Sequence, residues 1–255
     1  SARGLHAFRL HSKLVHLRPT RIERGAGFFQ LCYLKKEKGK EEVKRENMAE
    51  EGEAPETVNP SWEGERDDMN LPVGEGLATY PNGDTYQGTM KAGLREGSGT
   101  YTFANGNASY VGGYKENKKS GKGKFTYPDG ATYEGDWEGD LRHGQGTYTY
   151  VNGDYYEGEW KDGKKNGSGV YSCKSKGIFL RGEFADGVYT KGELRFVDGT
   201  VYNGSFNGMQ PKAGEEGTFA FPNGFKVSGK FLAKPAEAAE EEEGEEAKAP
   251  ELYWT

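Results

Sequence analysis

His143 follows Arg142 and lies a few residues after Glu134 and Asp136, a grouping from which a general base with an orienting carboxylate could be assembled. Gly121-Lys122-Gly123 and its relatives supply the bare backbone that can cradle a phosphate. Lys115, Lys118, Lys119, Lys122 and Lys124 form a basic cluster of the kind that holds phosphates or anionic lipid, and Glu237 to Glu246 is an acidic run that could attract calcium. Each signal is incomplete. No nucleophile accompanies His143 at meaningful spacing, no Gly-x-Gly phrase continues to Gly-Lys-Ser or Gly-Lys-Thr, and the acidic run lacks the fixed oxygen spacing of a calcium loop. Cys32 and Cys173 are too few for a disulfide framework or a metal set, which fits a reducing, intracellular compartment. The expectation is no catalytic residue, no metal and no cofactor. What remains is the chemistry of tyrosine and tryptophan as interface anchors.

Those rings recur at a fixed interval. An aromatic-x-Gly-x-large phrase, seen whole in Tyr133-Glu134-Gly135-Asp136-Trp137, begins at Tyr86, Tyr110, Tyr133, Tyr156, Leu180, Tyr202 and Val227, in steps of 22 to 25 residues. Each copy is preceded by a second phrase whose glycine falls at Gly76, Gly99, Gly123, Gly146, Gly169, Gly192 and Gly217. A period near 23 residues predicts a repeat architecture. Between the phrases stand turn signals: Pro81-Asn82-Gly83, Asn105-Gly106, Pro128-Asp129-Gly130, Asn152-Gly153, Asp198-Gly199 and Pro222-Asn223-Gly224. Asn-Gly and Asp-Gly tolerate the positive φ of a type I′ turn, so each unit is expected to be one hairpin plus a short connector. The fold class expected is all-β, an elongated single-layer array of seven stacked antiparallel hairpins over residues 74–231, with no unit stable alone.

Alternation along a strand puts Phe125, Tyr127, Tyr133, Gly135 and Trp137 on one face and Lys124, Thr126, Glu134 and Asp136 on the other. Glycine weakens a strand, so its return on the apolar face implies sockets beneath neighbouring rings. A single sheet leaves apolar surface uncovered, and a large exposed strip marks a binding surface. The partner-binding strip is expected to comprise Tyr86, Tyr110, Tyr114, Tyr133, Trp137, Tyr156, Trp160, Tyr202 and Phe206, with Met90 beside them. Open edges at the two ends of the array make end-to-end homodimerisation a further expectation.

Charge is unevenly placed: +7 over 1–47, −7 over 48–73, zero over 74–231 and −6 over 232–255. A neutral array is a poor holder of nucleic acid or anionic membrane, and the lysine cluster reads as a solvated outer face. Residues 1–73 are expected to be largely disordered, with 1–47 a candidate translated leader, Met48 a candidate start and a half-repeat near 62–66. Residues 232–255 form an acidic flexible tail ending in Leu252-Tyr253-Trp254. The first 47 residues hold no apolar stretch long enough for a membrane span or secretory signal. Neither flank is rich enough in apolar residues to bury a catalytic core of its own.

The unit Tyr-x-Gly-x-Trp after Pro-Asp-Gly resembles the membrane occupation and recognition nexus (MORN) repeat, a hairpin family. Asn117-Lys118-Lys119-Ser120-Gly121-Lys122-Gly123, Tyr127-Pro128-Asp129-Gly130 and Asp140-Leu141-Arg142-His143-Gly144-Gln145-Gly146 are similar to members of that family found in the radial spoke head of motile cilia and flagella. Trp62-Glu63-Gly64-Glu65-Arg66 resembles a half-repeat of the same proteins. This likeness implies a non-enzymatic scaffold of the ciliary axoneme, in the cytoplasm and cytoskeleton, whose partners are other radial spoke head proteins. Leu180, Val227 and Cys173 depart from the pattern by replacing rings. The alternative implied by the family is a peripheral, phospholipid-binding membrane adaptor, and a third is a detached regulatory array for a kinase or methyltransferase.

Overall fold

A computed structural model describes residues 60–104, 106–233 and 252–255; the basic segment through 47, Met48 and the acidic run 237–246 lie outside the described residues. The described chain holds strands and turns and no helix. The strands are β1 (Ser61–Arg66), β2 (Pro72–Thr79), β3 (Thr85–Lys91), β4 (Leu94–Thr102), β5 (Ser109–Lys115) and β6 (Lys118–Thr126). They continue as β7 (Thr132–Glu138), β8 (Leu141–Thr149), β9 (Tyr155–Lys161), β10 (Lys164–Cys173), β11 (Ile178–Ala185) and β12 (Val188–Arg195). The last five are β13 (Val201–Asn207), β14 (Gln210–Pro211), β15 (Glu216–Ala220), β16 (Lys226–Ala233) and β17 (Leu252–Trp254). Each pairs antiparallel with its neighbours in chain order, except that β13 pairs with both β14 and β15.

The meander runs on two alternating kinds of turn, and this corrects the expected turn chemistry. At Asn82-Gly83, Asp129-Gly130, Asn152-Gly153, Asp198-Gly199 and Asn223-Gly224 only the glycine has positive φ, 81° at Gly83 and 90° at Gly130. Its N–H donates to the carbonyl three residues back, Gly83 to Tyr80 and Gly130 to Tyr127. Pro81 and Pro128 fix φ near −65°, which suits the first central position of a type I turn and forbids type I′. The type I′ pattern occurs instead at the connectors, where both residues are left-handed: Ala92 (47°) with Gly93 (77°), and Glu116 (49°) with Asn117 (70°). The connectors are hairpin turns in their own right, so the strands form one continuous ribbon.

Register across the ribbon places glycine opposite glycine. Gly64, Gly76, Gly88, Gly99, Gly112, Gly123, Gly135, Gly146, Gly158, Gly169, Gly182, Gly192 and Gly204 pair in unbroken succession. A Cβ at Gly146 would lie 2.6 Å from Cε2 and Cζ of Tyr133, and one at Gly135 would lie 2.7 Å from the same phenolic oxygen. Each tyrosine therefore spans two glycines on adjacent strands, a position no other residue pair leaves room for.

The array begins earlier than position 74, correcting the expected disorder of 61–73. Trp62 of β1 lies across Gly64 and Gly76 as the tyrosines lie across theirs, and its Nε1 donates to Glu65 O at 2.8 Å. At the far end β17 pairs with β16, Phe231 opposite Trp254, and Lys230 and Thr255 exchange backbone hydrogen bonds of 3.0 and 2.9 Å. Trp254 sits over Gly229. The β16 edge expected to be open is thus partly covered, because a terminal socket without a ring would leave bare backbone and apolar rings in water.

Candidate protein-binding interface

The aromatic face is two rings deep. In the inner row Tyr133 meets Trp137 and Trp160 edge-on at 5.1 and 5.2 Å, and Tyr156 meets Trp160 and Phe184 at 5.3 and 4.8 Å. The line continues through Tyr189, Phe206 and Tyr202 to Phe231. Edge-to-face geometry sets the positive ring edge against the negative ring face, worth about 0.5–1.5 kcal/mol per pair beyond area burial. Each phenol closes a β-bulge by donating to the carbonyl three residues on: Tyr86 to Thr89, Tyr133 to Asp136 and Tyr156 to Glu159, each at 2.9 Å. The indoles of Trp137 and Trp160 donate to Gly123 O and Gly146 O at 3.2 and 3.0 Å. Burial pushes the Tyr86 phenol up to about 12, against the opposing pull of Arg95, and burial pushes Tyr202 to about 12 as well.

All nine residues expected on an exposed strip lie in this inner row, and every one is buried, Tyr86, Tyr133 and Tyr156 at 0% exposure and Trp137 and Trp160 at 5%. The expectation of exposure is corrected for a physical reason: strands twist and rings lean across the glycine column, so a single sheet covers its own first row of aromatics. An outer row stays half-exposed. It runs through Tyr80, Tyr101, Phe125, Tyr127, Tyr148 and Tyr150, with Tyr127 and Tyr148 5.5 Å apart and Tyr148 and Tyr150 4.6 Å apart.

Between the rows stand four half-buried cations, each four residues before a column glycine. Arg95 lies 5.0–5.9 Å from the rings of Tyr86, Tyr101 and Tyr114, and Arg142 lies 4.6–5.9 Å from those of Tyr133, Tyr148 and Trp160. Lys119 sits 4.6 Å from the Trp137 ring and Lys165 5.2 Å from Tyr150. The opposite face carries ordinary ion pairs such as Lys122 with Asp136 at 2.8 Å. The lysine cluster is therefore divided between the two faces and does not form one phosphate-holding patch. His143 lies 3.5 Å from Glu138, a contact that pairs two surface groups.

Five consecutive segments of this ribbon, residues 68–85, 86–108, 110–132, 133–155 and 156–178, match the family model of the MORN repeat. No curated protein matches the chain. Among solved structures it is similar to the TCP10c domain of Drosophila melanogaster Sas-4, at 17% identity over 67% of this chain and 98% of that one, with a TM-score of 0.39. The TCP10 domain of Danio rerio CPAP is similar at 13% identity over 66% of this chain and 88% of that one, with a TM-score of 0.31.

Beyond the matched MORN segments the same pairing continues with substitutions. Where Leu180 replaces tyrosine, the socket ring comes from the opposite strand: Tyr189 reaches Gly192, and its Oη lies 2.9 Å from Arg181 O and 3.1 Å from Glu193 O, either of which accepts its one proton. Sequence reasoning also missed Asp84 and Asp154, which are buried and staple one repeat unit to the next. Asp154 accepts from Tyr171 Oη at 3.0 Å and Lys174 N at 2.8 Å, and Asp84 accepts from Tyr101 Oη and from Ala104 N at 2.8 Å. The signal was present as Asn-Gly-Asp at 82–84 and 152–154, each followed by tyrosine seventeen positions after the aspartate.

Proposed function

We propose that the protein is a non-enzymatic scaffold of the radial spoke head in the axoneme of motile cilia, and that it binds other spoke-head proteins through its aromatic face. The observation that carries the binding role is the outer row of half-exposed rings, held in fixed positions by the buried row beneath. Tyrosines already ordered by packing lose little entropy on contact, which suits them to anchor a partner. The ciliary setting is supported by the likeness of residues 117–146 to spoke-head members of the MORN family. The nine inner-row residues support that surface from below, and the contact itself falls to Tyr127, Tyr148 and Tyr150.

The test pairs capture with location. A folded Tyr127→Ser, Tyr148→Ser variant should lose most of its spoke-head partners from axonemal extracts, and a fluorescent fusion of the wild-type chain should mark the length of motile cilia. Undiminished capture by the variant refutes the face, and a fusion confined to membranes refutes the setting in favour of the adaptor.

A further inference from the structure

We infer that the outer edge of β1 is a docking site that takes, as an added strand, an extended segment of another protein with lysine on both sides of a glycine and an aromatic residue just beyond. The inference is independent of the outer row of rings, because this edge runs along the end of the sheet. Among the described residues β1 pairs with β2 alone, whereas the far end of the array is partly closed by β17. An uncovered edge offers a row of backbone donors and acceptors to a strand that matches it.

The matching strand is displayed at β7. β1 reads Trp62-Glu63-Gly64-Glu65-Arg66 where β7 reads Tyr133-Glu134-Gly135-Asp136-Trp137. Gly64 pairs with Gly76 as Gly135 pairs with Gly146, and both strands bulge directly after that glycine. The outer edge of β1 therefore corresponds to the edge of β7 that β6 fills. There Gly123 faces Gly135 and Phe125 faces Tyr133, while on the reverse face Lys122 and Lys124 lie 2.8 and 3.6 Å from Asp136 and Glu134. Glu63 and Glu65 hold the equivalent positions on β1, are exposed, and enter no ion pair among the described residues. Opposite charges on facing residues favour strand pairing and like charges oppose it, so these glutamates select a basic strand. They also turn away a second copy, because antiparallel pairing of two β1 strands about Gly64 would set each Glu63 against a Glu65.

The aromatic side has room for the ring. Two residues after the column glycine, β4, β6, β8 and β10 carry Tyr101, Phe125, Tyr148 and Tyr171, but β2 carries Ala78. At this gap in the row lies a cavity of about 440 Å³, bounded by Ala78, Met90 and Tyr101 and, towards the edge, by Trp62 and Arg66. An added strand would lie about 4.8 Å from β1, which brings an aromatic side chain facing Trp62 to the mouth of that cavity. Arg66, held by donation from Nη1 to Asn70 O at 2.8 Å, stands at the rim, where its guanidinium suits the face of such a ring.

The test offers the full chain two fluorescein-labelled peptides: Gly-Lys-Gly-Lys-Phe-Thr-Tyr, the sequence of residues 121–127, and its counterpart with glutamate in place of both lysines. The lysine peptide should bind about tenfold more tightly at low salt. Glu63→Lys with Glu65→Lys should reverse that preference, since both changes fall on exposed side chains. Backbone pairing is read separately. N-methylation of alternate residues of the lysine peptide should abolish binding when it falls on the set whose N–H groups face β1, and spare binding when it falls on the other set. Two methylated sets that behave alike overturn strand addition, and a preference unchanged by the double substitution overturns β1 as the site. Binding of neither peptide would mean that the edge is already covered in the full chain, by its own upstream residues or by a second copy, and overturns the inference as well. The methylation series is run on the wild-type chain, so the inference stands or falls even if the double variant does not fold.

Discussion

At the scale of single residues, the fold rests on reciprocity between a ring and a missing Cβ. Tyr133 lies over Gly135 and Gly146, and the phenol completes a bulge that the two glycines permit. Gly146→Ala should cost about 1–3 kcal/mol through overpacking, and Tyr133→Leu a similar amount through lost ring contacts. The double substitution should cost less than the sum by about 1 kcal/mol or more, because without the ring there is no clash; chemical denaturation of the four proteins measures the coupling. Additivity would mean that the glycines serve something other than the rings. Asp154 makes a separate prediction. Its buried carboxylate accepts from Tyr171 Oη and Lys174 N, so Asp154→Ala should destabilise by about 2–3 kcal/mol, while Asp129→Ala, in an exposed turn, should cost no more than about 1 kcal/mol.

At the scale of elements, alternate turns do different work. The two-residue connectors match the right-handed twist of the strands they join, and the longer turns, several closed by proline, carry the aspartates that bond to the following unit. The end strands are the places where stacking stops, and tryptophan closes both. Trp254 packs at 4.9 Å from Phe219 and 5.0 Å from Phe231, so Trp254→Ala should lower stability by about 2 kcal/mol and make β16 the first strand cut in limited proteolysis. An unchanged digestion pattern would show that β17 contributes nothing to that edge.

Much of this was legible in the sequence. The period, the hairpins and the glycine sockets follow from Tyr133-Glu134-Gly135-Asp136-Trp137 and its copies, because alternation and the steric demand of a ring are local rules. What escaped was decided by neighbours. The depth at which Tyr86 or Trp160 sits depends on how adjacent units lean, so a ring on the apolar face could be assigned but its burial could not. Pro81 and Pro128 did carry the evidence against type I′ turns, and Tyr189 shows that a missing ring can be replaced from the opposite strand, where the phrase-by-phrase pattern does not look.

For the whole molecule, stability is a sum over neighbours rather than the property of a central core. The buried phenols are protonated in the fold and resist ionisation, with Tyr86 and Tyr202 raised from the usual 10 to about 12. A raised folded-state value means that their contribution is intact below pH 10 and is lost as pH climbs through 10 towards about 12. Tyrosinate absorbance and loss of circular dichroism should therefore rise together in that interval. Titration of most tyrosines near 10 with the sheet intact would contradict the burial described.

The most direct measurement of the central claim, one continuous ribbon in which each unit is held by the next, is native-state hydrogen exchange across the full chain. Protection should rise from β1 and from β16 to a plateau over β5 to β10, with the strands of that plateau opening together as denaturant is added. Hairpins that each open at their own denaturant concentration, as readily in the middle as at the ends, would contradict it.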